Sequence, residues 1–180
     1  MESPAAFTGG ITFADPVAQF GDVLSSVGGQ CEQAATLDDA RHVLSDLVRK
    51  IEARKICSLV EGIELTNVDP KTIRDPHDLN DVDLAIMPGQ IAVAENAAVW
   101  VTAGSLIERT LFFLAQHLVL VVPRRAVVSN LHEAYERVDV AASAFGTWIS
   151  GPSKTADIEQ SLVIGAHGPR SLLVILIGER

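Results

Sequence analysis

Gly151-Pro-Ser-Lys-Thr-Ala-Asp-Ile-Glu-Gln160, followed by Gly165-Ala-His-Gly-Pro-Arg170 and the apolar run Ser171 to Gly178, is the segment on which the fold of this chain turns. It sets a Gly-Pro stop, a cluster of hydroxyls and a carboxylate, a predicted short helix, a second Gly-rich turn and a final buried strand in direct succession. Ser, Thr and Asp are preferred helix N-caps, so Ser153, Thr155 and Asp157 predict a helix start just after the turn. A helix start presents free N–H groups and a positive dipole end, which suits a carboxylate, phosphate or pyrophosphate. Only one or two of the three side chains are needed for capping. Either all of them stabilise the turn, or the surplus makes Gly151, Ser153, Lys154, Thr155 and Asp157 a ligand cradle.

Working towards the N-terminus, Gly146–Ser150 reads as a strand delivering the chain to Gly151, and Ser129 as the cap of a helix running through Val138. Leu118–Val122 is a buried strand ended by Pro123, whereas residues 105–117 fit either a helix or irregular structure. Ile91-Ala-Val-Ala-Glu-Asn-Ala-Ala-Val-Trp-Val-Thr102 gives two extended runs pivoting at Glu95-Asn96. Ile56–Val60 and Val82–Met87 read as short buried strands, separated by an acidic connection broken at Asp69-Pro70 and Asp75-Pro76.

Thr36, with Asp39 three residues on, caps a helix whose apolar face runs from Leu37 to Ile51. Before it, Asp15-Pro16 opens a helix carrying Val17, Phe20, Val23, Leu24 and Val27 and stopped by Gly28-Gly29. Residues 1–12 read as a flexible arm, and residues 13–180 as a single domain. Strands and helices alternate, so the expected class is α/β, with helices on both faces of a sheet.

Composition supports one core. The chain has 180 residues, 48% of them hydrophobic, and a mean hydropathy of +0.26; a domain of this length hides roughly 70% of its unfolded surface. The net charge of −9 repels phosphate backbones and anionic lipid, which argues against nucleic acid and membrane surfaces as partners. No apolar run approaches the ~20 residues of a membrane span. Cys31 and Cys57 have no CxxC companion, so this chain cannot assemble a four-thiolate cluster or a structural zinc site. Free thiols suit a reducing compartment and a cytoplasmic location.

Nucleotide-binding loops are excluded by spacing. Gly146 and Gly151 have the separation of a P-loop, but Pro152-Ser153 intervene before Lys154-Thr155, and no Gly-x-Gly-x-x-Gly follows a strand. His167, in the turn before the last strand, is a candidate acid/base or ligand-orienting group, and Arg170 a candidate anion partner. His42, His77 and His132 read as surface or capping residues, and Asp75, His77 and Asp78 as a solvated loop rather than an oxygen-rich metal site. Glu95 interrupts an apolar segment, so its carboxylate must be hydrogen-bonded, solvent-reaching or functional. Trp100 and Trp148 read as core or interface aromatics. No cofactor is assigned.

The twenty residues from Gly151 to Arg170, together with Ile91–Thr102 and Gln116–Tyr135, resemble the lactate-utilisation (LUD) domain family. The resemblance implies a three-layer α/β sandwich of the kind shared by NagB/RpiA-type sugar-phosphate isomerases and CoA transferases, with a mixed, mostly parallel sheet. It also implies a role beside iron-sulfur proteins in the oxidation of L-lactate to pyruvate. With no cluster motif of its own, the chain would act there as a cluster-free subunit binding a small anionic metabolite, with electrons carried by its partners. Glu95-Asn96 is similar to the Glu-Asn-Gly of some CoA transferases, whose glutamate forms a thioester. That similarity makes Glu95 a candidate nucleophile and Asn96 a candidate ligand contact in a stand-alone acyl-transfer enzyme. Much of the family has Ala-Glu-Thr-Gly-Thr where this chain reads Ala94-Glu95-Asn96-Ala97-Ala98, without the glycine and both hydroxyls. A non-catalytic interaction module is the third reading, and homo-oligomerisation is compatible with the composition.

Overall fold

In the computed structural model, which describes residues 10–156, 162–165 and 167–179, local capping sets the first elements. The Asp15 carboxylate accepts from the Val17 and Ala18 N–H groups at 3.1 and 3.0 Å, starting α1 (Pro16–Ser26), which buries Phe20 and Leu24. α2 (Leu37–Lys50) begins with the expected reciprocal cap. Asp39 N–H donates to the Thr36 hydroxyl at 3.1 Å, and Thr36 N–H donates to the Asp39 carboxylate at 3.0 Å. Between the two helices lies β1 (Gln30–Ala34), a strand that the sequence reading lacks. Four of its five residues are polar or Cys, because it is an edge strand whose side chains are largely outside the core.

The central sheet is formed by β1, β2 (Ile56–Ser58), β3 (Leu84–Pro88), β6 (His117–Pro123) and β11 (Ser171–Ile177). Its spatial order is β1-β11-β6-β3-β2, and every pair is parallel. Parallel neighbours need crossover connections, and those connections cover both faces, so the central strands read as continuous apolar runs. Along β6, Val119 and Val121 pack with Ala40 and Leu44 of α2. The alternate residues Leu118, Leu120 and Val122 pack with α1 and with α3 (Leu106–Leu114). The undecided stretch 105–117 is therefore mostly helix, capped by Ser105, whose hydroxyl accepts from Glu108 N–H at 3.1 Å.

A second sheet lies on the α1/α3 side. It runs β7-β4-β5-β8, with β4 (Ile91–Val93), β5 (Ala98–Ala103), β7 (Val127–Val128) and β8 (Phe145–Ile149). The pivot at Glu95-Asn96 is the turn between antiparallel β4 and β5. α4 (Leu131–Tyr135) packs on the outer side of this sheet, over Ile91, Val93 and Trp100. The layers are thus α2, the parallel sheet, the second sheet with α1 and α3, and α4. Trp100 is buried there with its ring centroid 5.1 Å from that of Trp148, whose Nε1–H donates to the Tyr135 hydroxyl at 3.0 Å.

Two expectations are corrected. The helix predicted after Gly151 is not formed at its start: Lys154–Ala156 is strand β9, paired antiparallel with β10 (Leu162–Ile164). Here the ladder satisfies the backbone groups a helix would have used, and Thr, Val and Ile favour it. The helix after Ser129 is capped instead by Asn130, whose Oδ1 accepts from Glu133 N–H at 3.0 Å, and ends at Tyr135, short of Val138. The Ser129 hydroxyl accepts from Phe13 N–H at 3.2 Å, and Asn130 Nδ2 donates to the Ile11 carbonyl at 3.0 Å. Those bonds tie down residues 11–13, the last of which follows the arm expected over 1–12. Among the described residues, no helix is long and apolar enough to cross a membrane.

Candidate functional site

Two turns build the site. Gly151 takes φ +74°, and a Cβ placed on it would come within 2.9 Å of the Val27 carbonyl at the end of α1. Only glycine fits that conformation and that approach. Beyond it, Ser153 N–H donates to the Pro169 carbonyl at 2.8 Å, Gly165 N–H to the Ser153 carbonyl at 2.9 Å, and Arg170 N–H to the Gln116 carbonyl at 2.9 Å. Segments 151–153 and 165–170 are thereby stitched to each other and to the start of β6. Gly168 lies against the Ser153 side chain.

Between these turns and α3 is a cavity of about 260 Å³. Of the residues that line it, the buried Phe112, Leu118 and Leu172 form an apolar floor, Phe113 and Trp148 flank it, and Ser150, Gly151, Ser153, His167 and Gly168 belong to the turns that rim it. His167 is exposed at the mouth and Ser153 is half-buried.

The structure thus brings together Gly151, Ser153 and His167, whereas Lys154, Thr155 and Arg170 do not line the cavity. Lys154 is exposed and reaches across to α1, its Nζ beside Gly28 near the carbonyl end of that helix, a favourable place for a cation. Thr155 is half-buried in β9, opposite Val163. Arg170 is exposed, and Asp157 lies outside the described residues. With strand at Lys154–Ala156 no helix begins within the 151–155 turn, and the helix end that adjoins it is the carbonyl end of α1. Any anion there must be held by side chains and turn N–H groups.

Glu95 and Asn96 adjoin the cavity through one bond. The Ser150 hydroxyl donates to the Asn96 carbonyl at 2.7 Å, while Asn96 Oδ1 accepts from Ala98 N–H at 3.1 Å and closes an Asx turn. Ala97 is fully buried in the left-handed region at φ +53°, where a non-glycine residue is strained by roughly 1–2 kcal/mol. Glu95 is half-buried, and its Oε1 accepts from Leu131 N–H at 2.7 Å. The carboxylate that the sequence singled out therefore caps the first residue of α4. Glu95→Ala should cost about 1 kcal/mol of stability through the lost cap, and Glu95→Gln, which keeps an acceptor, under about 0.5 kcal/mol. Urea unfolding of the two variants separates a capping role from a purely chemical one, which would leave both as stable as the parent.

The other sequence candidates sit apart. His42 and His132 are exposed, and His77, also exposed, pairs with Asp75 at 2.7 Å. Among the described residues, no group of three or more His, Cys, Asp or Glu is placed to hold a metal ion.

One titratable group escaped the sequence reading. His117 Nδ1 lies 2.6 Å from the Ser171 hydroxyl, joining the first residues of β6 and β11, which the parallel register sets side by side. Burial holds the His117 pKa below the usual imidazole value, and the Arg170 charge adds to this, against a smaller opposite pull from Asp83. A depressed folded-state pKa means that below pH ~6.5 the unfolded chain binds the proton first, so stability rises with pH there. Native stability should therefore decline as pH falls below about 6.5, and His117→Gln should flatten that slope. Denaturant midpoints between pH 5 and 7.5 are the measurement. The Asp83 carboxyl, held low by the N–H groups of Lys55 and Arg54, adds a similar loss only below the ordinary carboxylate range.

With this geometry in place, the relatives are informative. The sequence profile of the LUD domain matches residues 71–177, more than half of the chain. A protein named Lactate utilization protein C from Geobacillus thermodenitrificans is 32% identical over 105 residues, covering 54% of this chain and 43% of that one. Its namesake from Bacillus subtilis is 29% identical over 104 residues, with the same two coverages. The chain spans less than half the length of these relatives. A crystal structure of a DUF162 family protein from Deinococcus radiodurans superposes with a TM-score of 0.67 over 92% of this chain and 98% of that one, at 19% identity. The α/β fold is shared, and the matched segment contains both stitched turns, the cavity floor and the Glu95-Asn96 pivot: the chain belongs to the LUD domain family.

Proposed function

We propose that this chain is a cluster-free component of a lactate-utilisation system, binding a small carboxylate in the cavity between Gly151–Ser153 and His167–Pro169. The observation that carries this reading is the placement of the family's signature segment: its two turns form the rim of a cavity with an apolar floor. Concave sites with a few convergent polar groups over an apolar lining are the usual form of small-molecule sites. In this reading His167, at the mouth, donates to the bound carboxylate or exchanges a proton with an adjacent hydroxyl, and the Ser153 hydroxyl supplies a second polar contact.

In this reading electrons travel on partners. Cys31 lies in β1 and Cys57 in β2, at opposite edges of the central sheet, and burial raises both thiol pKa values to about 11. Two separated, protonated thiols make neither a cluster site nor a reactive pair. Iron-sulfur proteins, which the family resemblance implies, are the expected partners, in a reducing, cytoplasmic setting. The names of the relatives support the pathway, and the cavity supports a carboxylate as ligand.

Reconstitution tests it. The full chain should co-purify with iron-sulfur proteins encoded beside it, and L-lactate-dependent electron transfer by the assembly should fall at least about tenfold with Ser153→Ala plus His167→Ala, the loss of two polar contacts. Undiminished transfer by an assembly lacking this chain would overturn the reading.

A further inference from the structure

Resting on that carboxylate site, we propose that it binds acids with an aromatic or branched apolar body more tightly than three-carbon acids such as L-lactate, which the same rim still holds. The division of the cavity is the basis. Its side-chain polar groups, in Ser150, Ser153 and His167, lie at the rim, whereas the floor is apolar, with Phe112, Leu118 and Leu172 buried beneath it. A three-carbon acid satisfies the rim and leaves the floor in contact with water. An acid with a larger apolar body covers the floor and gains about fourfold in affinity for each further buried methylene.

Size agrees with this. The cavity of about 260 Å³ has room for several times the ~30 Å³ share of one water molecule, and so for a body of ring size beyond the carboxylate. Among the described residues no Asp or Glu side chain lines it, so none of them sets a like charge against the ligand's carboxylate.

Phe113 adds an independent mark. It stands 43% exposed at the cavity wall, yet its ring is held by an edge-on contact with Phe145, with centroids 6.2 Å apart and planes at 84°. Oriented and uncovered, it offers a face or edge to a ligand ring in the offset or T-shaped geometry that aromatic pairs prefer. A three-carbon acid has no use for such a wall.

The test titrates the full chain with 3-phenyllactate, L-lactate and inorganic phosphate, by calorimetry and by tryptophan emission, since Trp148 lines the cavity. Phenyllactate is expected to bind at least about tenfold more tightly than L-lactate, as burial of a ring requires. Phe113→Ala, at an exposed position that leaves the fold intact, should shrink that ratio to under about threefold, and Phe113→Leu should restore part of it. L-lactate binding as tightly as phenyllactate, phosphate displacing phenyllactate with higher affinity, or a ratio unmoved by Phe113→Ala would each overturn the assignment of ligand class. The underlying carboxylate reading survives the first and third of these results. It fails together with the inference if neither acid binds, and in that case tryptophan emission of the parent will not respond to either.

Discussion

Gly151→Ala should destabilise the protein by about 3 kcal/mol, with a fall in Tm of roughly 6–12 °C. Two costs combine. A left-handed backbone charges a residue with a Cβ roughly 1–2 kcal/mol, and Gly151 sits at φ +74°. The new Cβ would also stand 2.9 Å from the Val27 carbonyl, a main-chain atom held at the end of α1 by the Val27 N–H bond to the Val23 carbonyl. Neither partner can rotate away, so the turn itself must move, adding an overpacking cost of about 1–3 kcal/mol. Gly28→Ala is the control. Gly28 is also left-handed, at φ +86°, but a Cβ there meets its nearest neighbours at 3.7 Å, an ordinary contact. It should lose only the conformational share, about 1 kcal/mol. Equal losses for the two variants in urea unfolding would show that the approach to Val27 carries no weight. Because the displaced turn is the cavity rim, carboxylate affinity should fall with Gly151→Ala and hold with Gly28→Ala.

Phe112→Ala should cost still more, about 3–5 kcal/mol, the usual range for removing a buried phenyl. Phe112 is 1% exposed, lies on the inner side of α3 and packs into the cluster that joins α1, both sheets and α3. Deleting it leaves a void between α3 and β6 that the flanking strands cannot close, since both belong to the five-stranded sheet. A drop of this size is a large part of the 5–15 kcal/mol that typically separates folded from unfolded chains. Phe113→Ala, one residue on but at the surface, should cost under about 1 kcal/mol. Comparable losses for the two would mean that α3 is packed differently from the arrangement described. Since Phe112 also floors the cavity, its removal should enlarge the space and weaken discrimination by ligand size.

How far the sequence spoke depended on the range of the interactions involved. The starts of α1 and α2 were legible because Asp15-Pro16 and Thr36 with Asp39 act within three residues. β6 and β11 were legible because a strand buried on both faces must be apolar throughout. β1 was not, as Gln30-Cys-Glu-Gln-Ala34 has no strand-like pattern and extends only because β11 offers it an edge. Thr155 shows the same limit in the signature segment: its hydroxyl reads as a cap locally, while pairing with Val163 makes it a strand residue. Among the residues that line the cavity, Gly151, Ser153 and His167 were singled out by turn chemistry. Ser150, Phe113 and the His117–Ser171 pair needed the register between strands distant in sequence.

The position of β11 has a consequence for synthesis. β1 forms its ladder with β11 alone, and β11 also separates it from β6. During translation β1 stays without the partner it has in the sheet until Ser171 and its successors appear, on the order of ten seconds later at ~5–20 residues per second. The parallel sheet therefore closes from the middle outward and late, and its first strand is locked by its last. Nascent chains of this protein have to keep the open edge of β1 clear of other chains throughout that interval.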